Sequence, residues 1–201
     1  IFAIAFLQYG NTMHFVVTNL NDPIVSYDNR TNFVDKMIIN PYSDRTCPCG
    51  RRGCVESELT PSATMSKLKE VFSAEKTPFL YEAARGSFEN VNQDMITMAY
   101  EKDDKAVKEI LNGELTLLAV LLNNLYFSTN PQKIVLHQFK FQNEKAFQKL
   151  KDAVTEIGGA LVSSKIELSI IEDKHRFLSG CALAIRELFF NRGGFDTSSN
   201  N

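Results

Sequence analysis

The chain has 201 residues, of which 44% are hydrophobic and 23% charged, a composition ordinary for a soluble globular protein. Its 22 Lys and Arg nearly balance 24 Asp and Glu, and a formal charge of −2 argues against a domain that grips phosphate backbones directly. A chain of this length buries roughly two-thirds of its extended surface, so a core needs neither disulfide nor metal to hold it.

Ile1 to Phe6 and Met13 to Thr18 are apolar or β-branched runs separated by Gln8-Tyr9-Gly10-Asn11. Gly10 and Asn11 accept the positive φ of a tight turn, so a hairpin is predicted. The first run is too short to span a bilayer, follows no basic stretch and starts without Met, which reads as a strand inside a longer protein. A third strand is predicted at Ile24-Val25-Ser26 and a fourth at Lys36-Met37-Ile38-Ile39, closed by Asn40-Pro41. From Tyr42 to Ser57 the residues are loop formers, chiefly Cys, Pro, Gly, Arg and Asp.

Helices follow. Thr60-Pro61 opens one, with Met65, Leu68 and Phe72 on one face; Thr77-Pro78 opens another, with Phe79, Leu80, Ala83 and Ala84 as its apolar set. A third carries Val91, Met95, Met98 and Ala99. After the cap at Asp103-Asp104 comes a long helix whose stripe runs from Ala106 through Leu111, Leu115, Leu118 and Leu122 to Tyr126, ending at Ser128 to Pro131. Ile134-Val135-Leu136 reads as a buried strand, Lys145 to Ile157 as an amphipathic helix stopped or bent at Gly158-Gly159, and Ile166 to Ile170 as a half-buried strand. His175 to Phe190, which includes Cys181, reads as a last helix, and residues 193–201 as a frayed tail. The closing βαβα order predicts an α/β domain.

Cys47, Cys49 and Cys54 fall within eight residues, with Gly50 and Gly53 between them. Crowded thiols of this kind fit a metal cluster in a reducing cytoplasm better than a secreted disulfide framework. Tetrahedral zinc needs four ligands, and the spacing offers three. Asp35, Asp44, His14, His137 and His175 are candidates for the fourth. A structural metal, a catalytic one and an empty or oxidised cluster all remain open from the spacing alone.

The run Cys-Pro-Cys-Gly-Arg-Arg-Gly-Cys-Val-Glu, residues 47–56, resembles the CxCGxxGCxE signature of the ROK family of bacterial sugar kinases and sugar-sensing repressors. Glu82-Ala83-Ala84-Arg85-Gly86, the segment from Asn124-Leu125 through Asn130-Pro131 to Ile134-Val135-Leu136, and Leu178-Ser179-Gly180-Cys181-Ala182 are similar to further family segments. The resemblance implies an actin/hexokinase-like (ribonuclease H-like) lobe, a mixed sheet flanked by helices, over residues 1–192. The cysteine loop at 41–57 and the helical segment 60–128 would be insertions in it. It implies zinc, homo-oligomers, and DNA contact only through an N-terminal domain outside this sequence.

Departures from the family pattern are as informative. Members carry GExGH before the loop, whose Glu and His contact sugar and whose His often completes the zinc site. Here Phe33 stands at the Glu position and Lys36 at the His position, while Glu56 retains the third sugar-contacting place. His137-Gln138 replace a Gly-Gly near the nucleotide, and Gln8 to Thr12 replace the phosphate turn. The expectation is therefore a cytoplasmic effector-sensing and oligomerisation domain of a repressor, responding to a sugar or sugar phosphate, without kinase activity or membrane contact. The alternatives are a divergent sugar-kinase lobe and a protein-binding scaffold.

Overall fold

A computed structural model describes residues 3–8, 13–19, 33–137 and 144–170. The two strands pair as the sequence predicts: β1 (Ala3–Gln8) runs antiparallel to β2 (His14–Asn19), with Ala5 opposite Val17, while the turn expected at Gly10 and Asn11 lies outside the described residues. Parallel to β1 lies β3 (Lys133–His137), which sets Leu7 opposite Leu136; β4 (Ile166–Leu168) lies parallel to β3. Strand order is thus β2-β1-β3-β4. Parallel neighbours cannot be joined by a tight turn. The link between β3 and β4 accordingly contains the amphipathic helix α6 (Glu144–Ser163).

Between β2 and β3 the chain builds its helical part. A five-residue α1 (Val55–Leu59) is followed by α2 (Pro61–Val71), α3 (Pro78–Ala83), α4 (Gln93–Glu101) and the 25-residue α5 (Lys105–Thr129). Local chemistry starts and stops these helices. The Thr60 hydroxyl accepts from the Ala63 N–H at 3.3 Å and Pro61 occupies the first turn, where its absent N–H has no partner to lose. The Asn92 side chain caps α4 by accepting from the Met95 N–H. α5 ends at Asn130, whose left-handed conformation returns its N–H to the Tyr126 carbonyl.

Val107, Leu111, Leu115, Leu118, Leu122 and Leu125 form the buried stripe of α5, which packs along α6 and also touches α1, α2 and α4. By length and composition α5 is apolar enough to cross a bilayer, but half of its most apolar window is spent inside the protein, as in a core helix. α6 bends at Gly159 (φ 81°) and resumes to Ser163, so the glycine pair bends the helix rather than stopping it.

Several expectations need correction. Lys36 to Ile39 is not a strand: residues Phe33–Lys36 form a 3-10 turn, and Ile38 makes a single bridge to Cys54. The run is short and its backbone is taken up by the cysteine loop, so no ladder can grow from it. The loop itself ends earlier than Ser57, because Cys54 is already the N-cap of α1. Phe79 and Met98 are partly exposed rather than core residues. The Ile24 to Ser26 strand, Gln138, the His175 to Phe190 helix with Cys181 and the tail lie outside the described residues. By contacts the chain divides into two units, Ile1–Leu168 and Ser169–Asn201; all the elements above belong to the first.

Candidate functional site

The cysteine loop is held by its backbone. Ile39 N–H donates to the Gly53 carbonyl and Val55 N–H to the Met37 carbonyl, both at 2.9 Å, which fastens the loop's end to the segment after the 3-10 turn. Inside the loop the Cys47 N–H donates to the Arg51 carbonyl and the Gly50 N–H to the Cys47 carbonyl, both at 2.8 Å. Gly53 has φ +66°, and a Cβ there would stand 1.7 Å from the Asn40 carbonyl oxygen. Only glycine allows the two backbones to come that close.

These constraints bring the Sγ atoms of Cys47, Cys49 and Cys54 within 4.8 Å of one another, with Cys49 and Cys54 at 3.6 Å. Ligand sulfurs on tetrahedral zinc stand about 3.8 Å apart, so the trio fits three ligand positions. Cys47 and Cys54 are buried and Cys49 is exposed. Burial pushes the Cys47 thiol up to about 12 and that of Cys54 upward as well. The Arg51 backbone N–H and guanidinium bring Cys49 down to about 6.

No fourth donor joins the three thiols among the described residues. Asp35, Asp44 and His137 stay out of the group; the His14 side chain and His175 lie outside the described residues. Lys36, in the place of the family's histidine, instead forms an ion pair with Glu56 and lies 3.4 Å from an Asp35 oxygen. The Glu56 carboxylate, through its hydrogen bond, raises the lysine's pKa further. A protonated ammonium has no lone pair to give a metal. The residues present therefore fit zinc incompletely, with three thiolates and no described fourth ligand.

Glu56 lies in the first turn of α1 and is the carboxylate on which this geometry converges. Its Oε2 accepts from Lys36 Nζ and from Cys47 Sγ, the latter at 3.1 Å. Those two donors, Lys36 first, lower its pKa. Of the other family positions, Phe33 opens the 3-10 turn and His137 ends β3 opposite Gln8, where it does not join the thiol group.

A second polar cluster on the other side of α1 was not anticipated from the sequence. Glu58 and Glu114, each 3% exposed, share Lys67, whose Nζ lies 3.4 Å from Glu58 Oε2 and 3.3 Å from Glu114 Oε1. Lys67 also donates to the Glu58 carbonyl at 2.6 Å, and the Thr64 hydroxyl donates to Glu114 at 2.9 Å. A signal existed: Glu114 falls on the stripe that holds Leu111, Leu115 and Leu118, where an acid must find a partner.

With this geometry in hand, comparison with known proteins is informative. The family model described as ROK family matches residues 35–175. Among solved structures, a ROK family glucokinase from Streptomyces griseus in complex with glucose and AMPPNP is 14% identical, with a TM-score of 0.64 over 81% of this chain. A ROK family protein from Streptococcus pneumoniae TIGR4 in complex with sucrose is 12% identical, with a TM-score of 0.70 over 93% of this chain. A ROK family transcriptional regulator described as a homologue of the E. coli Mlc protein is 13% identical, with a TM-score of 0.64 over 84% of this chain. Curated protein sequences give no match. The likenesses define an actin/hexokinase-like fold. Since the family model covers well over half of its length, the chain belongs to the ROK family. It spans only 59%, 59% and 41% of these three solved chains.

Proposed function

We propose that the chain is the effector-sensing and oligomerisation domain of a cytoplasmic ROK-type transcriptional regulator, without kinase activity, in which a sugar or sugar phosphate changes the arrangement of attached DNA-binding segments. The observation that carries this reading is the ion pair between Lys36 and Glu56. The one family sugar-contacting carboxylate retained here is already engaged by an internal cation, and Phe33 offers no hydrogen bond to a hydroxyl. A ligand must displace or bridge that pair, so the site is tuned to weak, reversible sensing rather than to holding a hydroxyl for phosphoryl transfer.

Charge favours neutral sugars over sugar phosphates at this point. The Lys36 ammonium already meets two carboxylates, Asp35 and Glu56, so a phosphate at Glu56 would find that cation taken and a carboxylate beside it. The regulator among the similar solved structures supports the reading, and DNA contact would belong to a domain outside this sequence. Linkage demands that the ligand prefer one arrangement of the protein over another.

The test is isothermal titration of the full-length protein with a panel of sugars and sugar phosphates. Binding of a neutral sugar at about millimolar affinity or better, with no ATP-dependent phosphorylation of it, is the expected result. Silence across the panel would remove ligand sensing. Kinase members among the similar solved structures favour a second reading, a divergent sugar-kinase lobe. Phosphate transfer from ATP to a sugar by the full-length protein would establish that reading instead.

A further inference from the structure

We infer that Cys49 and Cys54 form a reversible dithiol–disulfide site, so that the loop which resembles a metal clasp acts in this chain as an oxidant-responsive switch. Three observations point there. Cys49 and Cys54 already hold their sulfurs 3.6 Å apart, with Cys49 exposed and Cys54 buried behind it. An accessible first thiol with a protected second thiol in reach is the arrangement of a sensing cysteine and its resolving partner. Cys47, the third thiol, is also buried and within 4.8 Å of the other two, but its thiol donates to Glu56 Oε2 at 3.1 Å, so the 3.6 Å contact of Cys49 with Cys54 marks those two as the pair.

The metal that would otherwise occupy these sulfurs lacks a described fourth ligand, because Lys36 is bound to Glu56. Closure needs the sulfurs to approach to about 2.05 Å. Gly50 and Gly53, both at positive φ, flank Arg51 and Arg52 between the two cysteines, and the turn they make already brings the two sulfurs to 3.6 Å.

The step is a two-electron oxidation by a hydroperoxide. The Cys49 sulfur attacks the peroxide O–O bond, gaining a hydroxyl as a sulfenic acid while the other oxygen leaves as water or an alcohol. The Cys54 sulfur then displaces that hydroxyl, which departs as water with the thiol proton, and the S–S bond forms. Both thiols are oxidised and the peroxide is reduced. A thiol reductant reverses the change. Because Cys54 is the N-cap of α1, the new bond would tie the exposed rim of the loop to the helix that carries Glu56 two residues on.

The inference stands apart from sugar sensing, since a chain that binds no sugar would still close this bond. The experiment treats reduced, chelator-washed protein with hydrogen peroxide and maps the linkage by peptide mass spectrometry. Expected is a Cys49–Cys54 disulfide within one chain, reversed by dithiothreitol, with Cys47 still open to alkylation after unfolding. Cys54→Ser should leave a sulfenic acid on Cys49 that dimedone traps. Cys49→Ser, at an exposed position, should leave Cys54 unreactive. A linkage through Cys47, survival of all the loop thiols, or reduced protein that carries stoichiometric zinc and resists peroxide would each overturn the inference.

Discussion

Glu56 and Glu58 stand two residues apart on the same five-residue helix, and each meets a lysine, yet the surroundings differ. Glu58 and its partner Lys67 have side chains 4% and 13% exposed and draw in Glu114 from α5. Glu56 and Lys36 are 23% and 27% exposed and draw in a thiol from the cysteine loop. In the first place water is excluded, so each charge depends on its neighbours and the cluster fastens α1, α2 and α5 together. In the second, water reaches both partners, and the pair contributes little to folding. One short helix thus has a buried charged face and a wetter one, and burial alone separates them.

The strongest way to break this contrast is Lys67→Met. The substitution preserves side-chain bulk but leaves Glu58 and Glu114 facing each other without a cation, and Glu58 Oε1 already has no hydrogen-bond partner. Removing one member of a buried ion pair costs about 3–5 kcal/mol. Urea denaturation should show a loss of that order, and a loss below about 1 kcal/mol would mean that the cluster is wet.

A test of intermediate size concerns backbone rather than charge. Gly53→Ala combines a left-handed φ with a clash against the Asn40 carbonyl, for which about 2–4 kcal/mol is expected. Gly50→Ala has the same unfavourable hand but open space around its Cβ, so about 1 kcal/mol should suffice. The two variants together should separate strain from steric conflict. Gly53→Ala should also make Cys54 accessible to alkylating reagents under native conditions, and equal behaviour of the two variants would count against the close approach of loop and turn.

Much of this was legible in the sequence, unevenly. The periodic apolar stripe of α5, the hairpin and the βαβ order follow from local pattern, because each element's burial is written at its own spacing. The cysteine trio was legible because three thiols and two glycines in eight positions have few other uses. What escaped were pairings across distance. Nothing local says that Lys36 reaches Glu56 twenty residues on, or that Lys67 lies between carboxylates from α1 and α5. Such pairs exist only once helices are packed. The strand expected at Lys36 to Ile39 failed for the same reason: its apolar run suited a ladder, but the hydrogen bonds went to the cysteine loop. Resemblance located the substituted positions Phe33 and Lys36, and the structure then supplied what the lysine does there.

The smallest effect should come from Lys36→Ala, and it bears most directly on function. If the Lys36–Glu56 pair is a latch rather than a brace, its removal changes folding stability by less than about 1 kcal/mol. A double-mutant cycle with Glu56→Ala isolates the pair from the separate loss of the lysine stem's packing. The coupling should be a few tenths of a kcal/mol in low salt and should shrink as salt is raised, because both groups reach water. A coupling above about 2 kcal/mol, insensitive to salt, would place this pair in the same category as Lys67 and its acids. It would then be part of the scaffold, and a ligand that opened it would have to unfold the loop to do so.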